Sequence, residues 1–450
     1  MAVLLSGSIC LSILFLFYKY LIAPAVVSPL SKLPNAHFTS PVFPFWIWWK
    51  KRKGQLNRTT LALHQKFGPV VRLGPNEVSV NSAEGLRTIY TSRGGFIKTT
   101  WYQELFQNFG VENLVSMQEH KPHAAQKRVM AHIYSKSYLM DSQDLHAISN
   151  TVILDRLLPV LEKAASKHAK VEVLSLGKAV GMDFTSAYLF GLANGTNFVV
   201  EQEYRNKWLG KYEIFKYQQP QDRILGDVEQ WCLDLCKLAE SSSTADGDTG
   251  TRPVVHELLW NHLQSHRPAA SENRLKVASE MLDHLVAGHE TSGVTLTYLM
   301  YELSRHPDLM AELRQELGQL NPSLYRAKLD PAQITGVPSP AVLDALPFLD
   351  ALIRETLRVY AAASAPQPRL TPASKQVMIH GYVIPGGVTV SSSAYTLHRN
   401  PAVFPNPLDW SPTRWLRADK QQLEEMNRWY WPFGSGGRMC LGSHFAIQSK

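Results

Sequence analysis

One short loop near the end of the sequence constrains this chain more than any other feature. Residues 433–442 read FGSGGRMCLG, so that four glycines frame Cys440. Glycine lacks a Cβ and readily adopts positive φ, which lets a backbone turn sharply and approach a flat ligand. Backbone N–H groups of such a loop can point at the sulfur and keep it as a thiolate. Arg438 can meet a carboxylate on the rim of a cofactor as a charge-assisted pair.

Other interpretations of this loop fit less well. A phosphate-binding loop ends in Gly-Lys-Ser/Thr, and a dinucleotide-binding loop needs a third glycine at a set offset. Arg438 and Met439 occupy those positions. A glycine-rich turn beside a buried, unreactive cysteine is the structural alternative, since buried thiols are common.

The loop resembles, position by position, the haem-ligand loop of the cytochrome P-450 monooxygenases, in which a cysteine thiolate binds the iron and favours O–O cleavage. The resemblance is to microsomal eukaryotic members of the fungal kind. It implies a mainly α-helical fold with small peripheral β-sheets, preceded by an N-terminal membrane anchor. It also implies haem b (iron protoporphyrin IX), with Cys440 as the metal ligand and Phe433 and Arg438 among the haem-binding residues.

A long helical pattern carries the second motif. Apolar side chains recur at intervals of three and four residues from about Ser271 to Arg305, which predicts one long amphipathic helix. Its middle reads AGHETSG at 287–293, where each glycine costs about 1 kcal/mol relative to alanine. Either a kink or π-bulge interrupts the helix there, or the small residues form a notch where two helices cross.

The 287–293 segment resembles the oxygen-activating helix of the same family. In that family an acid–alcohol pair guides protons during catalysis. The resemblance assigns these roles to Glu290 and Thr291.

A third predicted helix contains Glu355 and Arg358, and a pair at this spacing is common on any helix surface. The pair becomes informative through its position along the chain, since Arg414 and then the cysteine loop follow it. In the family, the acid and the arginine of this helix lock with the later arginine into a buried structural triad. Glu355, Arg358 and Arg414 match those positions.

The resemblance also implies contacts to the haem propionates. Arg369 matches one propionate-binding arginine of the family. The other contact belongs to the segment 120–128, where no tryptophan stands four residues before Arg128, and where Lys127 rather than an arginine follows His123 by four. His123, Lys127 and Arg128 therefore all stay candidates.

Two β-rich patches flank the helical middle of the chain. Alternating apolar residues at 69–73 and 77–80 surround Gly-Pro-Asn, which predicts a hairpin. A second patch spans residues 376–395, with the Pro-Gly-Gly segment at 385–387 as its predicted turn.

The N-terminus predicts a membrane anchor. Residues 2–18 are uncharged and mostly apolar, and the apolar run continues past Lys19 to Val27, close to the roughly 20 residues that cross a bilayer. A cleavable signal peptide is the alternative, but the basic n-region and the small-residue cleavage site are missing. We expect residues 1–28 to form a single transmembrane helix in the endoplasmic reticulum membrane.

The next segment predicts which side of the membrane the rest of the chain occupies. Several prolines precede the aromatic run WIWW at 46–49 and the basic run KKRK at 50–53, which is typical of a cytosolic membrane-proximal segment. We expect residues 29–53 to act as a hinge and basic segment, and residues 54–450 to form a cytosolic haem-thiolate monooxygenase domain.

The net charge and the motifs that the sequence lacks limit the classes of partner. The net charge of +8 suits an anionic membrane surface or an acidic protein, and no basic helix, zinc module or RNA-binding signature points to nucleic acid. No flavin or nicotinamide motif exists in the chain. The resemblance therefore implies electrons from NADPH through a separate NADPH–cytochrome P-450 reductase. By analogy, the substrate is a lipophilic small molecule from secondary metabolism.

The family normally continues for several dozen residues beyond its cysteine, whereas this sequence ends ten residues after Cys440. We therefore expect the haem domain to be C-terminally incomplete and to hold haem poorly. The alternatives to an active monooxygenase are a non-catalytic or unstable haem-binding fragment, or a haem-thiolate isomerase or dehydratase. The acid–alcohol pair argues against the last two activities.

Overall fold

A computed structural model describes residues 2–217, 226–242, 251–266, 270–320 and 336–449. Over these ranges the chain is mainly α-helical, and its strands are short. This confirms the predicted fold class of a helical protein with small sheets.

The α-helices within these ranges are, in chain order, α1 (Ala2–Phe17), α2 (Phe45–Arg52), α3 (Leu56–Phe67), α4 (Ala83–Leu86), α5 (Thr100–Phe106), α6 (His120–Ala131), α7 (Lys136–Asp141), α8 (Gln143–Asn150), α9 (Leu158–Ser166), α10 (Val173–Phe190), α11 (Gln202–Tyr217), α12 (Asp227–Ser242), α13 (Val254–His266), α14 (Ala270–Arg305), α15 (Pro307–Gly318), α16 (Pro340–Asp344), α17 (Pro347–Val359), α18 (Ala394–Leu397), α19 (Thr413–Arg417), α20 (Lys420–Trp429) and α21 (Ser443–Gln448).

The strands are β1 (Val70–Gly74), β2 (Glu77–Val80), β3 (Ile97–Lys98), β4 (Gln367–Leu370), β5 (Val377–Ile379), β6 (Tyr382–Ile384) and β7 (Thr389–Ser392). Five of them form one sheet in the order β1-β2-β7-β4-β3, in which β2 and β7 are parallel, and β5 pairs with β6 separately.

The predicted early hairpin is confirmed, because β1 and β2 are antiparallel with Val70 opposite Val80. The predicted turn at 385–387 is present at Gly386 and Gly387, but it does not close a hairpin. The chain reverses earlier, at His380 and Gly381, whose φ values of +47° and +77° suit a tight two-residue turn between β5 and β6. The segment 385–387 instead leads from the small hairpin to β7 in the large sheet.

The chain forms two compact units. The first unit comprises Met1–Thr99, Ala363–Asp409 and Asp419–Met439, and it contains both sheets. The second unit comprises Thr100–Ala362, Trp410–Ala418 and Cys440–Lys450, and the part of it that the structure describes is helical.

Glycines let α10 and α14 pack closely in the second unit. A Cβ on Gly288 would stand 2.1 Å from Thr185 Oγ1, and a Cβ on Gly293 would stand 2.8 Å from the backbone nitrogen of Lys178. On α10, a Cβ on Gly181 would lie only 3.1 Å from the Gly288 carbonyl oxygen. The helix α14 is uninterrupted over 36 residues. The predicted interruption is therefore wrong, and the notch between crossing helices is confirmed.

We expect Gly293→Ala to destabilise the second unit by about 1–3 kcal/mol, because an overpacked contact forces the two helices apart. The free energy of unfolding in denaturant measures this effect. Gly210→Ala on α11 is the matched control, since a Cβ there meets nothing within 4 Å. The control should be neutral or stabilising by up to about 1 kcal/mol, because alanine is the better helix former. Equal unfolding free energies of the two variants would contradict the close packing of α10 against Gly293.

The N-terminal helix α1 continues as a π-helix over Tyr18–Val27. The stretch Ser8–Val27 has 20 residues and a mean hydropathy of 2.0, and none of it is buried. It is the one helix in the described ranges that is long and apolar enough to cross a membrane.

Candidate functional site

The glycine-rich loop lies in the first unit as far as Met439. Gly434 and Gly436 have φ values of +70° and +67°. A single 3-10 turn over Gly436–Arg438 is closed by Met439 N, which donates to Gly436 O at 3.1 Å. A Cβ on Gly436 would stand 2.2 Å from the Tyr90 carbonyl oxygen, so glycine is required there for both space and backbone conformation.

Tyr90, which no motif of the sequence indicates, supports this loop. The ring of Trp431 tilts against the Tyr90 ring at a centroid distance of 4.7 Å, and Trp431 Nε1 donates to Ser435 Oγ at 2.9 Å. Tyr90 Oη donates to Gln367 O at 2.7 Å and accepts from Ser392 N at 2.7 Å. Trp431, just before the loop, was a local signal for such a contact. Nothing in the sequence around Tyr90 marks it as its partner.

Arg369, a predicted propionate-binding residue, lies beside the same tyrosine. It is a buried residue of β4, and its Cζ atom is 5.0 Å from the Tyr90 ring centroid. Phe433 and Arg438 are each half-buried in the loop. The first unit therefore brings Arg369 and the loop 433–439 together around Tyr90.

Cys440 begins the last segment of the second unit, and its side chain is exposed. The short helix α21 follows at once. Its Phe445 is buried against the rings of Tyr134 and Tyr188, at centroid distances of 6.2 Å and 5.0 Å. These aromatic contacts attach the segment after Cys440 to the core of the second unit, whereas Ile447 on the same helix is 38% exposed.

The three basic candidates of 120–128 lie on α6 in the second unit. His123 is buried, Lys127 is half-buried, and Arg128 is exposed. Since residues four apart share one side of a helix, His123 and Lys127 point in the same direction and Arg128 does not.

Glu290 on α14 is held by two lysines. Its Oε1 accepts from Lys178 Nζ on α10 at 2.7 Å, and its Oε2 accepts from Lys216 Nζ on α11 at 3.1 Å. Burial acts to raise the pKa of Glu290, but the Lys178 hydrogen bond and the surrounding positive charge outweigh burial, so that the pKa lies below its usual value. The carboxylate is therefore charged at neutral pH.

His289, beside it in the sequence, is fully enclosed. Its ring meets the Trp208 and Tyr212 rings edge to face, at 5.1 Å and 4.8 Å, and Nδ1 is 2.9 Å from Leu285 O. Burial lowers the pKa of His289 to about 4. The imidazole is therefore neutral at physiological pH, and it packs as an aromatic side chain.

Thr291 follows on the next face of the helix and is half-buried. Its hydroxyl donates to Ala287 O, one turn earlier, at 2.8 Å. Thr297 makes the same kind of bond to Gly293 O at 2.7 Å. The geometry of Thr291 is therefore ordinary for a helical threonine.

Glu355, Arg358 and Arg414 are in direct contact within the second unit. Arg358 binds both carboxylate oxygens of Glu355, with Nε and Nη2 each at 2.8 Å, and Arg414 Nε donates to Glu355 Oε1 at 2.9 Å. The carboxylate also accepts from Ser411 N at 2.9 Å and from Trp415 Nε1 at 3.0 Å. Neither of these last two donors is indicated by a motif of the sequence. Glu355 and Arg358 are fully buried, so this network connects α17 to α19 inside the core.

Comparisons with known proteins agree with these features. The family profile described as cytochrome P-450 matches residues 236–449. The cytochrome P-450 monooxygenase avaI of Aspergillus versicolor is 30% identical over 403 residues, which cover 86% of this chain and 93% of the relative. The cytochrome P-450 monooxygenase orf2 of Aspergillus niger is 27% identical, over 94% of this chain and 84% of the relative.

A third relative, the cytochrome P-450 monooxygenase FGM1 of Gibberella zeae, is 26% identical over 87% of this chain and 79% of its own length. Each of these three relatives matches at least 86% of this chain. With the cysteine loop and the mainly helical fold, they establish that this chain is a fungal-type member of the cytochrome P-450 family, and thus an oxidoreductase of the monooxygenase class.

Proposed function

We propose that the chain inserts one oxygen atom from dioxygen into a lipophilic small molecule, with electrons from NADPH delivered by a separate NADPH–cytochrome P-450 reductase. The observation that carries the proposal is an exposed cysteine in a glycine-framed loop, on a chain similar to fungal monooxygenases along most of its length. The absence of flavin and nicotinamide motifs from the sequence supports an external electron source.

Membership in the family implies a haem cofactor, and the residues present suit haem b. The thiol of Cys440 is exposed, and a Cβ on Gly437 or on Gly442 would meet nothing within 4 Å. The residues on either side of the cysteine therefore leave space for a haem to approach the thiol. The haem would supply the activation of dioxygen, for which a thiolate ligand is suited. In this proposal Cys440 binds the iron as thiolate.

The propionates need cationic or donor groups. We assign Arg369 and Arg438 to them, since each guanidinium can bind a carboxylate through two N–H groups. From α6 we assign His123 and Lys127 rather than the exposed Arg128, because His123 is buried, Lys127 is half-buried and the two share one side of the helix. Phe433, half-buried in the loop, packs near the thiolate in this assignment.

Glu290 and Thr291 would move protons. The Glu290 carboxylate is charged and connects two ammonium groups, so it can take up a proton only when its bond to Lys178 or Lys216 loosens. The Thr291 hydroxyl can donate and accept at once, provided that it turns away from Ala287 O. The two side chains thus supply a charged acceptor and a neutral relay at adjacent positions.

Turnover under isotopically labelled dioxygen tests the proposed reaction. The full chain is reconstituted with reductase, NADPH and a lipophilic extract of a fungal culture. We expect products that carry one labelled oxygen atom and that depend on both NADPH and reductase. Products that form without NADPH or dioxygen, and that carry no label, would instead identify an isomerase or dehydratase.

Replacing Thr291 by alanine tests the proton relay. We expect haem and substrate binding to persist, while most of the NADPH consumed yields hydrogen peroxide instead of product. Thr297→Ala is the matched control, since this threonine makes the same kind of backbone bond six residues further along α14. Unchanged product per NADPH in Thr291→Ala would assign the pair a purely structural role.

We further propose that residues 1–28 anchor the chain in the endoplasmic reticulum membrane, that residues 29–53 form the membrane-proximal segment, and that residues 54–450 form the cytosolic haem domain. Buried Arg72 supports a fixed anchor, because its Nη1 donates to Pro24 O at 3.0 Å and its Nη2 donates to Pro75 O at 2.8 Å. Burial lowers the pKa of Arg72 to about 10, so it stays charged at neutral pH.

The surface of α2 supports the same orientation. Trp48 and Trp49 are about half exposed, and the cationic groups of Arg52 and Lys50 lie 4.8 Å and 4.9 Å from their ring centroids. Exposed indole rings with adjacent cations suit the interface of an anionic leaflet.

Removal of residues 2–27 should release the chain from membranes. We expect the full chain to stay in the pellet after alkaline carbonate extraction, because a spanning helix resists it, and the shortened chain to appear in the supernatant. Recovery of a shortened, glycosylated and secreted form of the full chain would show a signal peptide instead.

A further inference from the structure

Three side chains of metal-binding type converge on one side of α14. Glu280, Asp283 and His284 stand at positions i, i+3 and i+4, which face the same direction on a helix. One ligand atom of each lies within 4.8 Å of the other two, and His284 Nε2 is 3.3 Å from Glu280 Oε1. His284 precedes Thr291 by about two helical turns, or ~10 Å, so the cluster is separate from the acid–alcohol pair.

One oxygen of the Glu280 carboxylate lacks a hydrogen bond, although the side chain is fully buried. Oε2 accepts from Leu114 N at 3.0 Å and from Gln126 Nε2 at 3.2 Å. Oε1 has no hydrogen-bond partner in the parts of the chain that the structure describes, and it faces His284 Nε2 without hydrogen-bond alignment. Since buried carboxylate oxygens are normally satisfied, Oε1 requires a cation or a donor at this place.

The other nitrogen of His284 is held in position. His284 Nδ1 lies 2.9 Å from Tyr134 Oη, and the two rings meet edge to face at 5.5 Å. The Tyr134 hydroxyl oxygen can accept the Nδ1 proton. A histidine that binds a metal typically has its second ring nitrogen fixed in this way, which leaves Nε2 with its lone pair directed at the ion.

We propose that Glu280, Asp283 and His284 bind a divalent cation, for which Zn²⁺ is the best fit. Zinc accepts one imidazole nitrogen and two carboxylate oxygens at about 2.0–2.2 Å, which places ligand atoms of a tetrahedral site roughly 3.4 Å apart. The 3.3 Å separation of His284 Nε2 and Glu280 Oε1 matches that distance. Asp283, which is 9% exposed, would complete the three protein ligands, and a water molecule would take the fourth position. The histidine ligand disfavours magnesium and calcium, which prefer oxygen.

Zinc content of the full, haem-loaded chain tests the site. The protein is stripped with a chelator, equilibrated with Zn²⁺, passed into zinc-free buffer and measured by elemental mass spectrometry. We expect one retained zinc per wild-type chain, and none in His284→Gln or Glu280→Gln. Asp283→Asn replaces a carboxylate by an amide of the same shape and leaves the fully buried Glu280 in place, so it should fold and bind zinc at least about tenfold more weakly.

His306→Gln is the matched control. His306 also stands four residues after a glutamate, with its Nδ1 3.6 Å from Glu302 Oε2, but it lies outside the three-ligand cluster. This variant should retain zinc fully. Added Zn²⁺ should also raise the melting temperature of the wild type and of His306→Gln by more than that of Asp283→Asn, because stabilisation by a ligand grows with its affinity for the fold.

Two results would overturn the proposal. Zinc retained equally by wild type and His284→Gln would place the ion elsewhere. A wild type that retains no zinc would show that the contact between His284 and Glu280 exists without a metal ion. Both results are independent of turnover, so they leave the proposed monooxygenase activity to its own test.

Discussion

The Cys440→Ser variant is expected to lose the red-shifted Soret band of the reduced, carbon monoxide-bound protein and to lose essentially all turnover. The reason is electronic, since a serine oxygen is a harder and much less acidic ligand than a thiolate and does not push electron density onto the iron in the same way. Difference spectra of the purified variant, normalised to haem content, measure this effect.

Cys10→Ser is the control for this experiment, because Cys10 is also exposed but lies on α1. It should keep the full thiolate spectrum. If Cys440→Ser retained that spectrum, or if the wild type showed a histidine-type spectrum when freshly folded, the assignment of the ligand would be wrong.

The Glu355→Ala variant is expected to lose about 3–5 kcal/mol of stability, the typical cost of removing one member of a buried ion pair. Glu355 accepts from Arg358, Arg414, Ser411 and Trp415, and its removal takes the carboxylate away from two guanidinium groups inside the core. Because a whole domain has a net stability of only about 5–15 kcal/mol, we expect poor expression and easy loss of haem. Denaturant unfolding followed by circular dichroism measures the change.

Asp234→Ala provides the comparison at the same helical spacing. Asp234 pairs with Lys237 at 2.9 Å, three residues later, but both side chains are more than half exposed. Exposed pairs contribute about 0–1 kcal/mol, so this variant should be nearly as stable as the wild type. A similar loss of unfolding free energy in the two variants would show that burial of the Glu355 network does not contribute to stability.

The local patterns of the sequence predicted the elements that they specify directly. The apolar spacing of 271–305 predicted the helix α14, and alternation around Gly-Pro-Asn predicted the pairing of β1 with β2. Both are set by neighbours a few residues apart, because side-chain direction repeats every 3.6 residues in a helix and every two in a strand. The same locality limits the prediction at 385–387, because the local sequence indicates the turn there but not that the hairpin closes at His380 and Gly381.

The glycines of α14 show where local reasoning ends. Gly288 and Gly293 break the helical pattern of the sequence, and two explanations were possible from the chain alone. The structure decides between them because Thr185 and Lys178, more than a hundred residues earlier in the chain, occupy the space where each Cβ would be. The lower helix propensity of a glycine can be predicted from the helix's own sequence. The stabilisation from close packing depends on the partner helix, so it cannot be predicted from that sequence alone.

What the sequence determined by itself is the family, the mainly helical fold class and the chemical groups available: a cysteine in a glycine loop, an acid next to an alcohol, and the charged side chains 355, 358 and 414. What only the tertiary structure decided is which groups meet. Tyr90 beneath the loop, the two lysines on Glu290, and the orphaned Glu280 oxygen facing His284 all depend on contacts between distant segments. Such contacts form because packing brings distant side chains within a few ångströms, and no periodicity along the chain encodes that distance.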